Sequence, residues 1–155
     1  MTQFKESRLL FEFGDRWHVF KLDEHRDYRE RIGKLYDTKA VYFIGILDDN
    51  ELYLIEVKNY RGDIIESKDK LLKGELHQEL AQKVRDSVAC IIGAYRTSSE
   101  PEHWAPYAKL LCTQKKALRV ILWLEYELPS HPSSRRKMMA FFNVREFKKK
   151  ITWLT

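Results

Sequence analysis

The 155-residue chain has only two cysteines, four prolines and six glycines, and it contains no long apolar run. Two cysteines are too few for a disulfide framework or a cysteine-based zinc cluster. No stretch of about 18 apolar residues is present, which excludes a transmembrane helix. The N-terminal residues mix charged and apolar side chains and lack the apolar core of a signal peptide. These absences predict a single intracellular, cytoplasmic domain over residues 1–155, with its own core and without a membrane partner.

Sequence signatures of several enzyme classes are missing as well. The chain contains no Walker A loop, no G-x-G-x-x-G or G-x-S-x-G motif and no H-E-x-x-H motif. The five histidines do not recur at the spacing of a metal site, so each is interpreted as structural or solvated. Nucleotide-binding, α/β-hydrolase and zinc-protease chemistry therefore have no support in the sequence.

Positive charge is in moderate excess and is unevenly distributed. The formal net charge is +5 and the sequence pI is about 9.1. Much of the excess lies near the C-terminus, in Arg135, Arg136, Lys137, Arg145, Lys148, Lys149 and Lys150. Such a cluster predicts either a phosphate-binding surface for nucleic acid or a solvated helix face, and the sequence leaves both interpretations open.

The centre of the chain has the pattern of a β-hairpin. Two apolar runs at residues 40–47 and 51–57 flank the turn-forming residues Asp48, Asp49 and Asn50. In the second run, apolar side chains fall on both faces, which is typical of a strand inside a layered α/β domain. The two aspartates are interpreted as turn formers.

Glu56 and Lys58 stand at the end of this second run, two residues apart, and therefore lie on one face of the strand. Burying a charge is costly unless it is paired or holds an ion. A carboxylate can bind Mg²⁺, which lowers the pKa of a bound water, and a lysine can orient that water or stabilise developing negative charge. The pair therefore suits phosphodiester hydrolysis; a surface ion pair at the strand end is the alternative interpretation.

The flanking segments predict further elements. Apolar residues at helical spacing predict a long helix over residues 75–95, with Cys90 as a buried free thiol, and a second helix over residues 102–112. A short polar helix is predicted over residues 23–32, with Asp23 as its N-cap. The remaining predictions are an opening hairpin over residues 8–13 and 16–22, a strand apolar enough to be central over residues 117–126, a helix over residues 135–150 and a final strand over residues 151–155.

The segment IEVKNYRG, which follows a β-hairpin and precedes a long amphipathic helix, resembles the PD-(D/E)xK nuclease superfamily. The runs AVYFIG and LAQKVRDSVA look like those of a nuclease-like group of mainly bacterial proteins within it. The resemblance implies an α/β fold with a central mixed β-sheet flanked by helices, on a restriction-endonuclease-like αβββαβ core. It also implies a Mg²⁺- or Mn²⁺-dependent DNA endonuclease. Only two strands are predicted between the core helices, so the opening hairpin or Ile64-Ile65 would supply the third.

The resemblance also implies roles for individual residues. Glu56 matches the metal-binding acid of the superfamily, and Lys58 matches its catalytic lysine. Other polar side chains match groups that only some members use. These are Glu24 or Glu30 for an additional helical acid near the metal, and Lys83 or Gln82 for a polar helix residue near the site; a surface salt bridge is the alternative for each.

A tyrosine occupies the position of the other metal-binding acid. With a three-residue turn, Glu56 lies opposite Tyr42, where the superfamily carries an aspartate. A phenol, with a pKa of about 10, is neutral near pH 7 and adds no negative charge for a metal. Asp37 lies about 17 Å upstream along an extended strand, at about 3.3 Å per residue, which is too far for it to take this place.

Two hypotheses follow from these observations. The first is a DNA nuclease that uses Glu56 and Lys58, either active or impaired by Tyr42. The second is a non-catalytic module on the same fold, which binds nucleic acid through the C-terminal basic cluster or binds a protein partner. In the second case Trp104 and Tyr107 would supply the protein contact, and a homodimer is one form that such a contact can take.

Overall fold

The computed structural model describes residues 1–61, 75–114, 117–127, 130–141 and 144–154. The described strands are β1 (Thr2–Glu6), β2 (Leu9–Phe13), β3 (Trp17–Lys21), β4 (Phe43–Leu47), β5 (Glu51–Asn59) and β6 (Ala117–Glu125). The described α-helices are α1 (Arg26–Glu30), α2 (Glu75–Thr97), α3 (Pro101–Cys112), α4 (Pro132–Phe141) and α5 (Val144–Lys150). Among these helices, none combines the length and the apolar character that crossing a bilayer requires.

Four of the strands form a mixed sheet in the order β3-β4-β5-β6. The β3–β4 and β4–β5 pairs are antiparallel, whereas β5 and β6 are parallel. Parallel neighbours need a long crossover connection, and α2 and α3 lie within the one that joins β5 to β6. The predicted mixed α/β class is confirmed, and β3 supplies the third antiparallel strand; Ile64-Ile65 lies outside the described residues.

The prediction that β6 is a central strand is wrong within the described part of the chain, where β6 is at one edge of the sheet. Its apolar residues contact both layers of the fold: Leu118, Val120 and Leu122 pack on the helix side, and Ile121 packs on the other side. An apolar pattern reports whether the two faces of a strand are covered. It does not report how many neighbours the strand has within the sheet.

The central hairpin has the predicted register. Phe43 lies opposite Ile55 in the β4–β5 ladder. Tyr42 directly precedes β4, and continuing this register by one residue brings position 42 level with Glu56, where the superfamily would carry an aspartate. The Tyr42 ring also packs against the cluster of Phe13 and Phe43 on the β1–β2 side of the sheet.

Two hairpin turns in this fold use left-handed residues other than glycine. Asp48 and Asp49, with φ of 51° and 55°, form the turn between β4 and β5, as predicted. Ser7 and Arg8, with φ of 50° and 64°, form the turn between β1 and β2. Aspartate tolerates this backbone conformation, whereas a Ser-Arg pair carries no such signal. The sequence therefore predicts the central turn and gives no indication of β1.

The predicted opening hairpin is wrong in its pairing. β2 pairs with β1 in a separate two-stranded sheet, and β3 pairs with β4 instead. The rings of Phe4, Phe11 and Phe13 all pack against Phe43 of β4. The β1–β2 hairpin thus covers the face of the main sheet opposite helices α2 and α3.

Helix α1 begins later than predicted. Its N-cap is His25, whose Nδ1 accepts a hydrogen bond of 3.1 Å from the Asp27 amide, so Asp23 is not the cap. Neutral imidazole can accept through one ring nitrogen, and it therefore performs the function that a carboxylate oxygen usually performs at this position.

The C-terminal segment also differs from its prediction. Across the helix predicted over residues 135–150 the structure describes α4 and α5, and residues 142–143 between them lie outside the described part. Residues 151–154 form turns and no strand. Phe147, Ile151 and Leu154 all pack against the main core, and their spacings of four and three residues continue the helical periodicity of α5.

The main core lies between the sheet and helices α2 and α3. Trp104 and Tyr107 are buried within it, which overturns the prediction that they contact a protein partner. The Trp104 Nε1 donates a hydrogen bond of 2.8 Å to Asp27 Oδ2, and Ser98 Oγ donates one of 2.7 Å to the same oxygen. Cys90 is a buried free thiol, as predicted, and burial raises its pKa to about 12.

The buried Asp27 carboxylate makes stability depend on pH. Burial opposes its ionisation, but the hydrogen bonds from Ser98 and Trp104 and the nearby Arg31 outweigh burial and hold its pKa below the ordinary value. A depressed pKa in the folded state stabilises the protein above about pH 4, and this contribution is lost as the pH falls through the folded value. Asp27→Asn should therefore cost roughly 1–3 kcal/mol at neutral pH, and the cost should shrink as the pH falls from about 5 to 2.

Urea unfolding of the native protein and Asp27→Asn at several pH values checks this prediction. Asp49→Asn, on an exposed turn, is the control. A difference in the free energy of unfolding that stays constant over the acid range would contradict the assignment.

Candidate functional site

Glu56 and Lys58 lie side by side on the helix-covered face of β5. Leu52 and Leu54, on the same face of this strand, belong to the main core. Glu56 continues that face, and its side chain is 1% exposed. The Lys58 Nζ lies 3.6 Å from Glu56 Oε1, and the Lys58 side chain is 22% exposed. The structure thus brings together the two residues that the sequence assigned to catalysis. Glu56 is buried, and Lys58 beside it is partly exposed to solvent.

Helix α2 adds two further charges to this pair. Lys83 Nζ donates a hydrogen bond of 2.7 Å to Glu56 Oε1, and Lys58 Nζ donates one of 2.7 Å to Glu79 Oε1. The four side chains form a chain of alternating sign in the order Lys83, Glu56, Lys58 and Glu79, which we call the charged quartet. Its formal charges sum to zero.

Burial and pairing set the protonation of this group. Complete burial raises the pKa of Glu56, although Lys83 and Lys58 oppose the shift. Burial disfavours the charge of Lys58, but Glu79 and Glu56 outweigh it and raise the pKa of Lys58. Burial likewise opposes ionisation of Glu79, and Lys58 and Lys83 outweigh it and lower the pKa of Glu79. The Glu56 Oε2 is buried without a hydrogen-bond partner among the described residues.

Tyr42 borders the charged quartet at the position expected for the second acid. The Lys83 Nζ lies 4.9 Å from the centre of the Tyr42 ring, within the range of a cation–π contact. Burial raises the pKa of the Tyr42 phenol, and the carboxylates of Glu6 and Glu56 raise it further. The Tyr42 phenol is therefore uncharged at physiological pH and lines the site without adding negative charge to it.

The weaker sequence assignments have other partners. Glu24 accepts a hydrogen bond of 2.5 Å from Lys21, and Glu30 is exposed on α1. Gln82 donates hydrogen bonds to Asp37, at 2.6 Å to its carbonyl oxygen and 3.2 Å to its carboxylate. Of the two polar α2 residues that the sequence proposed, only Lys83 belongs to the charged quartet.

Sequence reasoning missed one member of the charged quartet, Glu79. The available signal was its spacing, because Glu79 and Lys83 are four residues apart and therefore lie on the same side of α2. The angle at which α2 crosses β5 decides whether these side chains reach Glu56, and local sequence does not encode that angle.

The residues around Glu56 do not fit a divalent cation. Mg²⁺ prefers several oxygen ligands at about 2.0–2.1 Å. Here the carboxylate faces two ammonium groups, at 2.7 and 3.6 Å, and the position for a second acid holds Tyr42. In the part of the chain that the structure describes, no group of three or more histidine, cysteine, aspartate or glutamate side chains is arranged to hold a metal ion.

The C-terminal basic residues lie on α4 and α5. Exposed members are Arg135 and Arg136 on α4 and Arg145, Lys148, Lys149 and Lys150 on α5; the side chain of Lys137 lies outside the described part. Lys150 Nζ donates a hydrogen bond of 3.1 Å to Gln78 Oε1 of α2. Gln78 directly precedes Glu79, so the basic helix α5 lies beside the same turn of α2 that contributes to the charged quartet.

Comparisons with known proteins add no relative to this description. No protein-family model matches the chain, and no curated protein or solved structure matches it. Membership of the PD-(D/E)xK superfamily remains a prediction from the central hairpin and the Glu56–Lys58 pair.

Proposed function

We propose that the protein is a cytoplasmic, nuclease-like domain of the PD-(D/E)xK kind that binds the phosphate backbone of DNA and whose hydrolytic site is impaired by Tyr42. The observation that carries the proposal is the placement of Glu56 and Lys58 side by side on one face of β5, with the Tyr42 ring beside the ammonium that pairs with Glu56. A surface ion pair would not need a fully buried carboxylate.

The arrangement of the sheet supports this proposal. Three antiparallel strands are followed, after a helical crossover, by a fourth strand parallel to the third. This matches the βββαβ part of the core that the superfamily implies. The departure is α1, which lies between β3 and β4 instead of before all three strands.

Two features support binding to a nucleic-acid backbone. Lys58 keeps its positive charge and has part of its side chain at the surface, where it can donate to a phosphate oxygen. Helix α5, which carries three exposed lysines, contacts through Lys150 the helix α2 that carries half of the charged quartet. A backbone that follows α5 would thus approach Lys58, and phosphate contacts of this kind are independent of base sequence.

Neutralising Lys148, Lys149 and Lys150 together with glutamine should weaken DNA binding by about tenfold or more at physiological salt. Each phosphate contact contributes about 0.9 to the slope of log K against log salt, so loss of up to three contacts should flatten that slope by about 2–3. Fluorescence anisotropy of a short labelled duplex, titrated over roughly 50–200 mM salt, measures both quantities.

A matched control removes the same charge elsewhere. Lys5, Lys34 and Lys109 are exposed and lie on other elements, so their triple glutamine variant has the same net charge. The proposal expects this control to bind DNA nearly as well as the native protein. Equal weakening in both triple variants would contradict the assignment of α5, and absence of DNA binding by the native protein would overturn the proposed function.

A further inference from the structure

We infer that the Lys83 ammonium is a built-in counter-ion which holds the place of a divalent cation at Glu56, so that the charge of this carboxylate is balanced without metal. The inference deepens the proposed function, because it explains how a nuclease-like site persists with one acid missing. It concerns the protein alone and does not require that DNA binds.

First, the buried Glu56 carboxylate needs a cation close to it. Its side chain is 1% exposed, and a buried carboxylate is strongly unfavourable without a partner. Lys58 is not sufficient, because its ammonium lies 3.6 Å from Glu56 and 2.7 Å from Glu79. Lys83, at 2.7 Å and with its side chain 12% exposed, is the close partner.

The second step is the balance of charge between Lys83 and Tyr42. An aspartate opposite Glu56 would give two carboxylates, which a divalent cation balances. With Tyr42 there is one carboxylate at this point, and a single ammonium balances it. The face of the Tyr42 ring also attracts a cation, and the Lys83 Nζ lies 4.9 Å from its centre. Tyr42 and Lys83 therefore fit each other in charge and in position.

The third step is the fixed position of Lys83. The Ser87 side chain, which is fully buried, donates a hydrogen bond of 2.7 Å to the Lys83 carbonyl oxygen. The same hydroxyl accepts a hydrogen bond of 3.0 Å from the amide of Val41, the residue before Tyr42. One buried hydroxyl thus joins the turn of α2 that carries Lys83 to the chain that carries Tyr42, which fixes the backbone positions from which these two side chains meet.

Thermal unfolding in EDTA, Mg²⁺ and Mn²⁺, without nucleic acid, tests this inference. The melting temperature of the native protein should be the same in all three buffers. Lys83→Met should melt at a lower temperature in EDTA, because Glu56 loses its close cation, and Mn²⁺ should raise that temperature by about 2–5 °C by binding at the vacated place. Lys83→Arg, which keeps the charge, should remain insensitive to metal. Lys109→Met, on the exposed side of α3, is the matched control.

The outcomes separate the two proposals. A melting temperature of the native protein that rises with Mn²⁺ would overturn the inference, as would a Lys83→Met variant that melts like Lys109→Met or gains nothing from Mn²⁺. If Lys83→Met does not fold, calorimetric titration of the native protein with Mn²⁺ decides: no binding supports the inference and saturable binding overturns it. DNA binding enters none of these measurements, so failure of the proposed function leaves them interpretable.

Discussion

Tyr42→Asp is expected to cleave DNA at least about tenfold faster than the native protein when Mg²⁺ or Mn²⁺ is present, a change equivalent to about 1.4 kcal/mol or more in the barrier. The substitution places a second carboxylate across the hairpin from Glu56, at the position fixed by the pairing of Phe43 with Ile55. Two carboxylates attract a hard divalent cation strongly enough to compete with the Lys83 ammonium for Glu56, whereas the single carboxylate of the native protein already pairs with that ammonium. Release of labelled fragments from duplex and single-stranded DNA measures the effect.

Two further variants make this result specific. Tyr42→Phe removes the hydroxyl without adding a carboxylate, and it should cleave no faster than the native protein. Glu56→Ala in the Tyr42→Asp background should abolish the gained cleavage. If Tyr42→Asp cuts neither DNA nor RNA with either metal, the nuclease interpretation loses its main support. If the native protein already cuts as fast, Tyr42 does not impair the site.

Trp104→Ala is expected to give the largest loss of stability in the chain, about 3–5 kcal/mol in the free energy of unfolding. Trp104 is fully buried in the main core, and its truncation leaves a cavity. It also removes the Trp104 hydrogen bond to Asp27 Oδ2, which leaves Ser98 as the donor to this oxygen among the described residues. Trp104→Phe keeps most of the volume and should cost less, roughly 1–3 kcal/mol, because it mainly loses the hydrogen bond.

Equilibrium unfolding in denaturant measures these differences. Trp153→Ala is the control, because Trp153 is 53% exposed and its truncation should change the free energy of unfolding little. A Trp104→Ala variant as stable as Trp153→Ala would show that the contact between α3 and the β3–α1 segment is misplaced. It would also reopen the assignment of Trp104 to an external partner.

The sequence predicts the centre of this fold well because the information there is local. Successive side chains of a strand point to opposite faces, so position along residues 51–57 indicates which side chains share a face. The Asp48-Asp49 turn sets the register of the hairpin. Together they predict that Glu56 and Lys58 lie together and that Tyr42 faces Glu56. The long helix α2 follows from its apolar spacing in the same way.

Features that depend on distant parts of the chain could not be predicted in this way. β2 pairs with β1 because the Ser7-Arg8 turn adopts a left-handed conformation that its residue types do not signal. A tryptophan such as Trp104 can serve either as a core residue or as a surface residue that contacts a partner protein. Only its tertiary packing distinguishes the two roles. The Lys83 contact depends on how α2 lies across β5, which the helical spacing of the apolar residues does not specify.

If Lys83 and Tyr42 occupy the place of a metal and its second acid beside Glu56, manganese should not bind Glu56 in the native protein. Anomalous diffraction from Mn²⁺-soaked crystals of the native protein and of Tyr42→Asp tests it most directly. We expect no manganese peak at Glu56 in the native protein, with the Lys83 Nζ about 2.7 Å from Glu56 Oε1, and a peak between position 42 and Glu56 in the variant. A manganese ion bound to Glu56 in the native crystals, or Glu56 and Lys58 on opposite faces of β5, would contradict it.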